Sequence, residues 1–439
     1  MLTNYQKEFL EKIISIPSVG GIQEEGAPYG RQPKEVLDVF LAEAERNGFN
    51  TGIVGDRVGW VEFGSGDRLI GIICHLDVVP VSDGWNSDPF TLTTAEDDMG
   101  IETMYARGIV DDKGPACASY FAMKELFDSD YNPDGCRVRL ILGTDEERTC
   151  SCIQYYAEHG EIPDFAITPD AVFPVIYSEK RIVHLRVHGE NKNNLKAQGG
   201  SAVNIVPNSA YCIIDEQKYE QKGRAFHASK PENGINAITL LAEKVEGDGI
   251  NVDDYPILKY IRDFDKADYI TSLNERELNN ITFNIGTLTV SNKECEVEID
   301  CRMPASVDCN AFINCIKEKA SLYDLSTDVT LNLAPLTKDK DSSEVKKLSA
   351  IWERHIDKFV GYKEEYRNIH LEPKAVGVGT YARHIPNTIA FGIQAPWQID
   401  QCHQANEHVA VSDFIEWIEI IKEYIIEFVT ILFKRETKP

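Results

Sequence analysis

A chain of 439 residues exceeds one small domain, so two domains are the expectation. Its 43% hydrophobic and 26% charged residues suit a soluble protein with a real core. A net charge of −26 argues against nucleic acid or an anionic membrane surface as a partner.

The opening MLTNYQKEFLEKIISIPSV patterns as an amphipathic helix through Phe9, Leu10, Ile13 and Ile14, ending before Pro17. With Glu8 and Glu11 it lacks a signal peptide's apolar core. Residues 34–48 predict a helix with Val36, Phe40 and Leu41 on one face and Asn47-Gly48 as its stop. Strand-like runs follow over 51–63. In RLIGIICHLDVVP, Ile70, Ile72 and Ile73 predict a buried strand that stops at His75-Leu76-Asp77, and Pro80 bars its continuation. Ligands of open α/β sheets sit beyond the carboxyl ends of strands. An imidazole held through its second nitrogen by a carboxylate is a tuned metal ligand. The pair reads equally as a core histidine satisfied by a nearby aspartate.

After a loop holding Trp85 and Pro89, Asp111 and Asp112 precede a helical pattern of Ala116, Tyr120, Met123 and Phe127. Capping and the helix dipole alone would explain acidic residues there. VRLILGTDEE is a second strong strand and ends in Asp145, Glu146 and Glu147; DFAITPDA is a third and ends at Asp170. Three apolar runs that each finish in residues able to hold a metal, together with Asp111, outweigh a purely structural reading.

From about residue 183 the texture changes. IVHLRVHG and SAYCIIDE pattern as strands, and HASKPENGINAITLLAEKVEG as a polar turn becoming a helix. NITFNIGTLTVSNKECEVEIDCRMPAS reads as a hairpin pair and CNAFINCIKEKASLYD as a helix. Strands and helices without βαβ alternation predict a small α+β domain inserted into the first. The polar LTKDKDSSE is its exit; a helix, the strand NTIAFGI, a loop with His403 and a long final helix complete the chain. The final helix is interrupted by Glu416, Glu419, Lys422, Glu423 and Glu427, so it reads as docked and not as a membrane span. The eleven cysteines form no Cys-x-x-Cys pair, and an odd number without a framework predicts reduced thiols in a cytoplasmic setting.

HLDVVP, DDKGP, TDEE, TPDAVFP and CHQANE, in this order, resemble the M20 metallopeptidases, and most closely the dipeptidase V branch. The likeness extends through GGSAVNIVP, GRAFHASKPENG and EIDCRMP in the inserted region and GVGTYAR after it. The resemblance implies an α/β catalytic domain of the zinc-exopeptidase type, with a mixed sheet between helices, over 1–183 and 338–439. It implies an α+β lid over 184–337. It implies two divalent metals bridged by Asp111, one taking His75 and Asp170, the other Glu147 and His403. Glu146 would be the general base on a metal-bridged water, and Asp77 would orient His75. His227 would reach the scissile carbonyl from the lid, while Asn204 and Arg383 would hold the substrate's backbone or carboxylate. The implied enzyme is a monomeric dipeptidase cleaving unblocked dipeptides. Acetylornithine- or succinyl-diaminopimelate-type deacylation is the alternative within the family, and peptide binding without catalysis the alternative outside it.

The residue types agree with that assignment. Histidine and carboxylates without thiolates suit zinc or manganese, with cobalt as a substitute. Each remaining assignment has a plainer counterpart. His227 reads on its own as a helix-start residue, Arg383 as a surface cation, and Asn204 as a turn residue before Val206-Pro207. His408 and His384 compete with His403, and Asp112 competes with Asp111 but reads as a helix cap. Val378, Arg181 and Ser82 stand where the family favours glycine and add bulk to loops beside the implied cleft.

Overall fold

The computed structural model describes residues 1–133, 135–264 and 281–436; residues 134, 265–280 and 437–439, which fall inside the expected domains, lie outside it. The chain forms two compact units. The first comprises Met1–Tyr177, Lys338–Lys374 and Gly379–Pro439; the second comprises Ser178–Thr337 and Ala375–Val378.

In the first unit, the helix Asn4–Ile14 starts at a capping box. The Thr3 hydroxyl accepts from the Gln6 amide, and the Gln6 side chain accepts in return from the Thr3 amide. The next helix, Arg31–Arg46, begins earlier than the expected residue 34 because Pro33 is tolerated in a first turn. It buries Val36, Leu37, Phe40 and Leu41, and Gly48 follows it at φ 90°.

The sheet of this unit runs in the order Asn50–Val54, Val58–Gly64, Cys136–Gly143, Arg68–His75, Phe165–Thr168, Thr388–Phe391, Val175–Glu179. The four strands from Cys136–Gly143 to Thr388–Phe391 are mutually parallel, with antiparallel neighbours on both sides. The parallel strands are buried on both faces, which is why they read as continuous apolar runs. Ile70, Ile72, Val138 and Leu140 face a core that also holds Phe9, Phe40, Tyr120 and Trp417. Ile73 and Ile141 face the other side, against Ile153, Tyr156 and Tyr381.

A polar hairpin and a short helix are among the elements of this unit that escape the sequence pattern. The hairpin Thr93–Glu96 and Glu102–Tyr105 joins His408–Ala410 in a separate small sheet. The helix Ser151–His159 follows Cys150 in a left-handed conformation with no side-chain cap from that residue.

The second unit is an antiparallel sheet in the order Gln217–Lys222, Ser209–Ile214, Lys196–Gly199, Thr282–Val290, Glu294–Met303, Arg181–Glu190, Ser326–Leu333. Val183, Leu185 and Val187 alternate into its core, while His184, Arg186 and His188 take the opposite face. The helices Ala237–Gly247, Pro256–Arg262 and Cys309–Ser321 supply Leu241, Leu258 and Ile316 to the same core.

Candidate metal centre

Three parallel strands lie side by side and end on one edge of the first unit's sheet: Cys136–Gly143, Arg68–His75 and Phe165–Thr168. Their carboxyl ends therefore deliver neighbouring side chains, as doubly wound sheets do at ligand sites. His75 is the last residue of its strand, Glu146 and Glu147 follow Gly143, and Asp170 follows Thr168. Asp111 comes from the approach to the helix Lys113–Asp128, and His403 from the loop before His408–Ala410.

Asp111 stands between two histidines. Its Oδ1 lies 3.0 Å from His75 Nε2 and its Oδ2 lies 3.2 Å from His403 Nε2. Each histidine has a second carboxylate: Asp170 Oδ2 is 3.8 Å from His75 Nε2, and Glu147 Oε2 is 2.9 Å from His403 Nε2. Donor atoms of His75, Asp111 and Glu147 all lie within 4.8 Å of one another. The arrangement is two histidine–carboxylate pairs joined through one carboxylate.

The supports differ in detail from expectation. The partner of His75 Nδ1 is the backbone carbonyl of Asp77, at 2.9 Å, and the Asp77 carboxylate stands 3.6 Å off. That carboxylate instead accepts from the backbone amides of Glu146 at 3.0 Å and Glu147 at 3.1 Å. Asp77 thus holds the histidine with its main chain and the glutamate pair with its side chain. Asp112 does not cap its helix through its side chain; its Oδ2 accepts from the His75 amide at 2.9 Å. Asp145 accepts from the Ser151 hydroxyl and amide, anchoring the start of Ser151–His159. Of the competing histidines, His408 bonds the Asn406 carbonyl and faces Tyr105, and burial with Arg383 beside it pushes His384 down to about 4.

The electrostatics call for a cation. Burial pushes Glu146 well above the carboxylate range, and burial followed by Asp111 raises Glu147. The same two causes push Asp170 up to about 7. Burial opposes a charge on His403, yet Asp111 and Glu147 outweigh it and hold the imidazole up at about 11. With Nδ1–H of His75 given to a carbonyl, its Nε2 lone pair faces anionic oxygens, an arrangement that needs a proton or a metal between them. Glu147 Oε1 is buried with no hydrogen-bond partner among the described residues. Nitrogen and carboxylate donors without sulfur fit divalent cations of borderline or hard character.

The second unit holds the other expected residues. His227 is exposed and pairs with Ile205 in an isolated antiparallel bridge. Its Nδ1 lies 2.7 Å from Ser229 Oγ and its Nε2 3.5 Å from Arg302 Nη2. It is not a helix cap: the following helix begins at Ala237, and Asn236 caps it by accepting from Ile238 and Thr239. Asn204 sits in the adjoining turn, where its carbonyl accepts from the Ala228 amide and Asn284 secures the carbonyls on either side. Arg302, which the sequence pattern did not single out, is buried, paired twice with Asp300, and bonded to the Gly377 carbonyl at 2.7 Å. Arg383, in the first unit, ends the short turn Tyr381–Arg383 with its guanidinium laid against Gly379. Arg181 opens a strand and donates to Asn332, so it adds no bulk to a loop; Ser82 and Val378 are exposed.

The sequence profile of Peptidase family M20/M25/M40 matches residues 71–427. A Bacillus subtilis (strain 168) protein named "Putative dipeptidase YtjP" is 31% identical over 445 residues, covering 92% of this chain and 92% of its own. "Putative dipeptidase SSP1012" of Staphylococcus saprophyticus subsp. saprophyticus is 28% identical over 462 residues, covering 92% of this chain and 93% of its own. Among solved structures, human carnosine dipeptidase 1 shares the fold with a TM-score of 0.58 at 14% identity over 97% of both chains. The M20 family metallo-carboxypeptidase Sso-CP2 from Sulfolobus solfataricus does so with a TM-score of 0.59 at 17% identity, covering 98% of this chain and 100% of its own. The match over residues 71–427 includes all five metal-capable residues gathered at the strand ends, and the chain belongs to peptidase family M20/M25/M40.

Proposed function

We propose that this protein is a metal-dependent dipeptidase that hydrolyses the peptide bond of unblocked dipeptides. The observation that carries the reading is Asp111 spanning His75 and His403, each with its own further carboxylate. His75, Asp111 and Asp170 would hold one divalent cation, and Asp111, Glu147 and His403 a second. Zinc, manganese or cobalt there would supply Lewis-acid polarisation and a water acidic enough to react near neutral pH. The relatives named as dipeptidases support the substrate class.

The remaining steps belong to the chain's own side chains. Glu146 takes a proton from the attacking water as its oxygen bonds to the carbonyl carbon, and passes it to the leaving amine as the C–N bond breaks. His227, exposed on its turn, donates to the developing oxyanion, with Asn204 holding the substrate backbone beside it. Arg383 meets the free carboxylate, and a cleft carboxylate meets the free ammonium through a charge-assisted hydrogen bond.

Acylating that amine removes the charge and leaves a carboxylate unpaired, which costs on the order of 1–3 kcal/mol or more. Unblocked dipeptides should therefore exceed their N-acetyl forms by at least about tenfold in kcat/KM. A panel of free dipeptides, N-acetyl dipeptides and N-acyl amino acids checks this. Faster hydrolysis of N-acetyl or N-succinyl amino acids than of any free dipeptide would contradict it.

A further inference from the structure

We infer that Glu407 is a positioning residue that fixes the bridging carboxylate Asp111 and couples it to the loop bearing His403. The inference rests on the proposed metal site. Glu407 is fully buried, at 0% exposure, and its side chain points into the backbone that leads to Asp111. Oε1 accepts from the amides of Val110 at 2.7 Å and Asp111 at 3.1 Å. Oε2 accepts from the Gly108 amide at 3.1 Å and from Arg107 Nη1 at 2.6 Å. One carboxylate thus receives four donors from a single stretch of five residues.

The opposite side of Glu407 is tied to the same stretch. Its carbonyl accepts from the Ala106 amide at 3.1 Å, and His408–Ala410 pairs with Thr103–Tyr105. His403 lies a few residues upstream in the same loop, which Asn406 also anchors through the Asn86 amide and the Gly84 carbonyl. The two loops that bring Asp111 and His403 together are therefore stitched at Glu407. Arg107, itself buried, is held by this one ion pair and by the face of Trp85; its Nε and Nη2 have no hydrogen-bond partner among the described residues. Glu407 is the ion-pair partner of this buried guanidinium, so removing its carboxylate would leave the arginine unmatched beside the backbone that leads to Asp111. A neutral amide in its place would turn an NH2 group toward backbone or guanidinium donors, and the Asp111 backbone would shift.

Outer partners of metal ligands typically change metal affinity by about 10–100-fold. The test is competition for zinc between the protein and a chromophoric chelator, at a temperature where circular dichroism shows each variant folded. Glu407→Gln should weaken zinc affinity at least about tenfold. Unchanged affinity in folded Glu407→Gln, with zinc taken up normally by the wild type, overturns this inference alone. A wild type that takes up no zinc overturns the metal reading and this inference with it. Should Glu407→Gln not fold, Arg107→Lys is read in the same way. It keeps a cation but loses the guanidinium reach, so weaker zinc affinity supports the coupling and unchanged affinity contradicts it.

Discussion

Glu146 and Glu147 are adjacent in the chain, share one anchoring carboxylate in Asp77, and have different surroundings. Glu147 lies against His403, whereas the Glu146 carboxylate accepts from the Cys150 thiol at 3.8 Å. Under the proposed mechanism, that divergence would let Glu147 hold a cation while Glu146 receives a proton. Glu146→Gln preserves size and hydrogen bonding and removes the basic site. It should lower kcat by about 10²–10⁴ with metal content and folding unchanged. Steady-state kinetics with elemental analysis checks this, and loss of a metal from the variant would reverse the two roles. At this scale the sequence announces a residue when chemistry is written in its type, as with His75 and Asp170 at the ends of apolar runs, or when a family motif carries it, as with His403 in CHQANE. It does not announce Asp112 or Glu407, whose work is to accept from backbone amides that any residue could supply. The same holds for Asp77, where a main-chain carbonyl takes the place expected of the side chain.

The parallel strands were legible as elements because burial on both faces leaves an unbroken apolar run, as in Arg68–His75. The hairpin Thr93–Glu96 and Glu102–Tyr105 was not, because its first strand is short, polar and mostly exposed. The helix Ser151–His159 was hidden for another reason: the carboxylate that anchors its start, Asp145, comes from the preceding strand end and looked like part of the metal set. In the second unit, the turn carrying His227 is separate from the helix that begins at Ala237, so the histidine contributes nothing to helix capping. His227→Ala should accordingly leave the melting temperature nearly unchanged and lower kcat by about 10²-fold, with a modest change in KM. A variant that loses stability while keeping kcat would return His227 to a structural role.

On the scale of the whole molecule, two cores form from separate stretches of chain, one around the mixed sheet and one around the antiparallel sheet. The metal-capable residues all come from the first unit, and His227 and Asn204 from the second. None of the eleven cysteines is in a disulfide, as the absence of a framework predicted. No helix among the described residues is long and apolar enough to cross a membrane. A net charge of −26 disperses carboxylates widely, yet among the described residues buried ones converge on two histidines at the strand ends. The proposed activity therefore depends on cations in that place, and the most direct measurement is a metal titration. Protein stripped by a chelator and shown to be metal-free by elemental analysis should be inactive on dipeptides. Activity should return with zinc, manganese or cobalt and saturate at two equivalents per chain. Full activity in the verified metal-free protein would contradict the account.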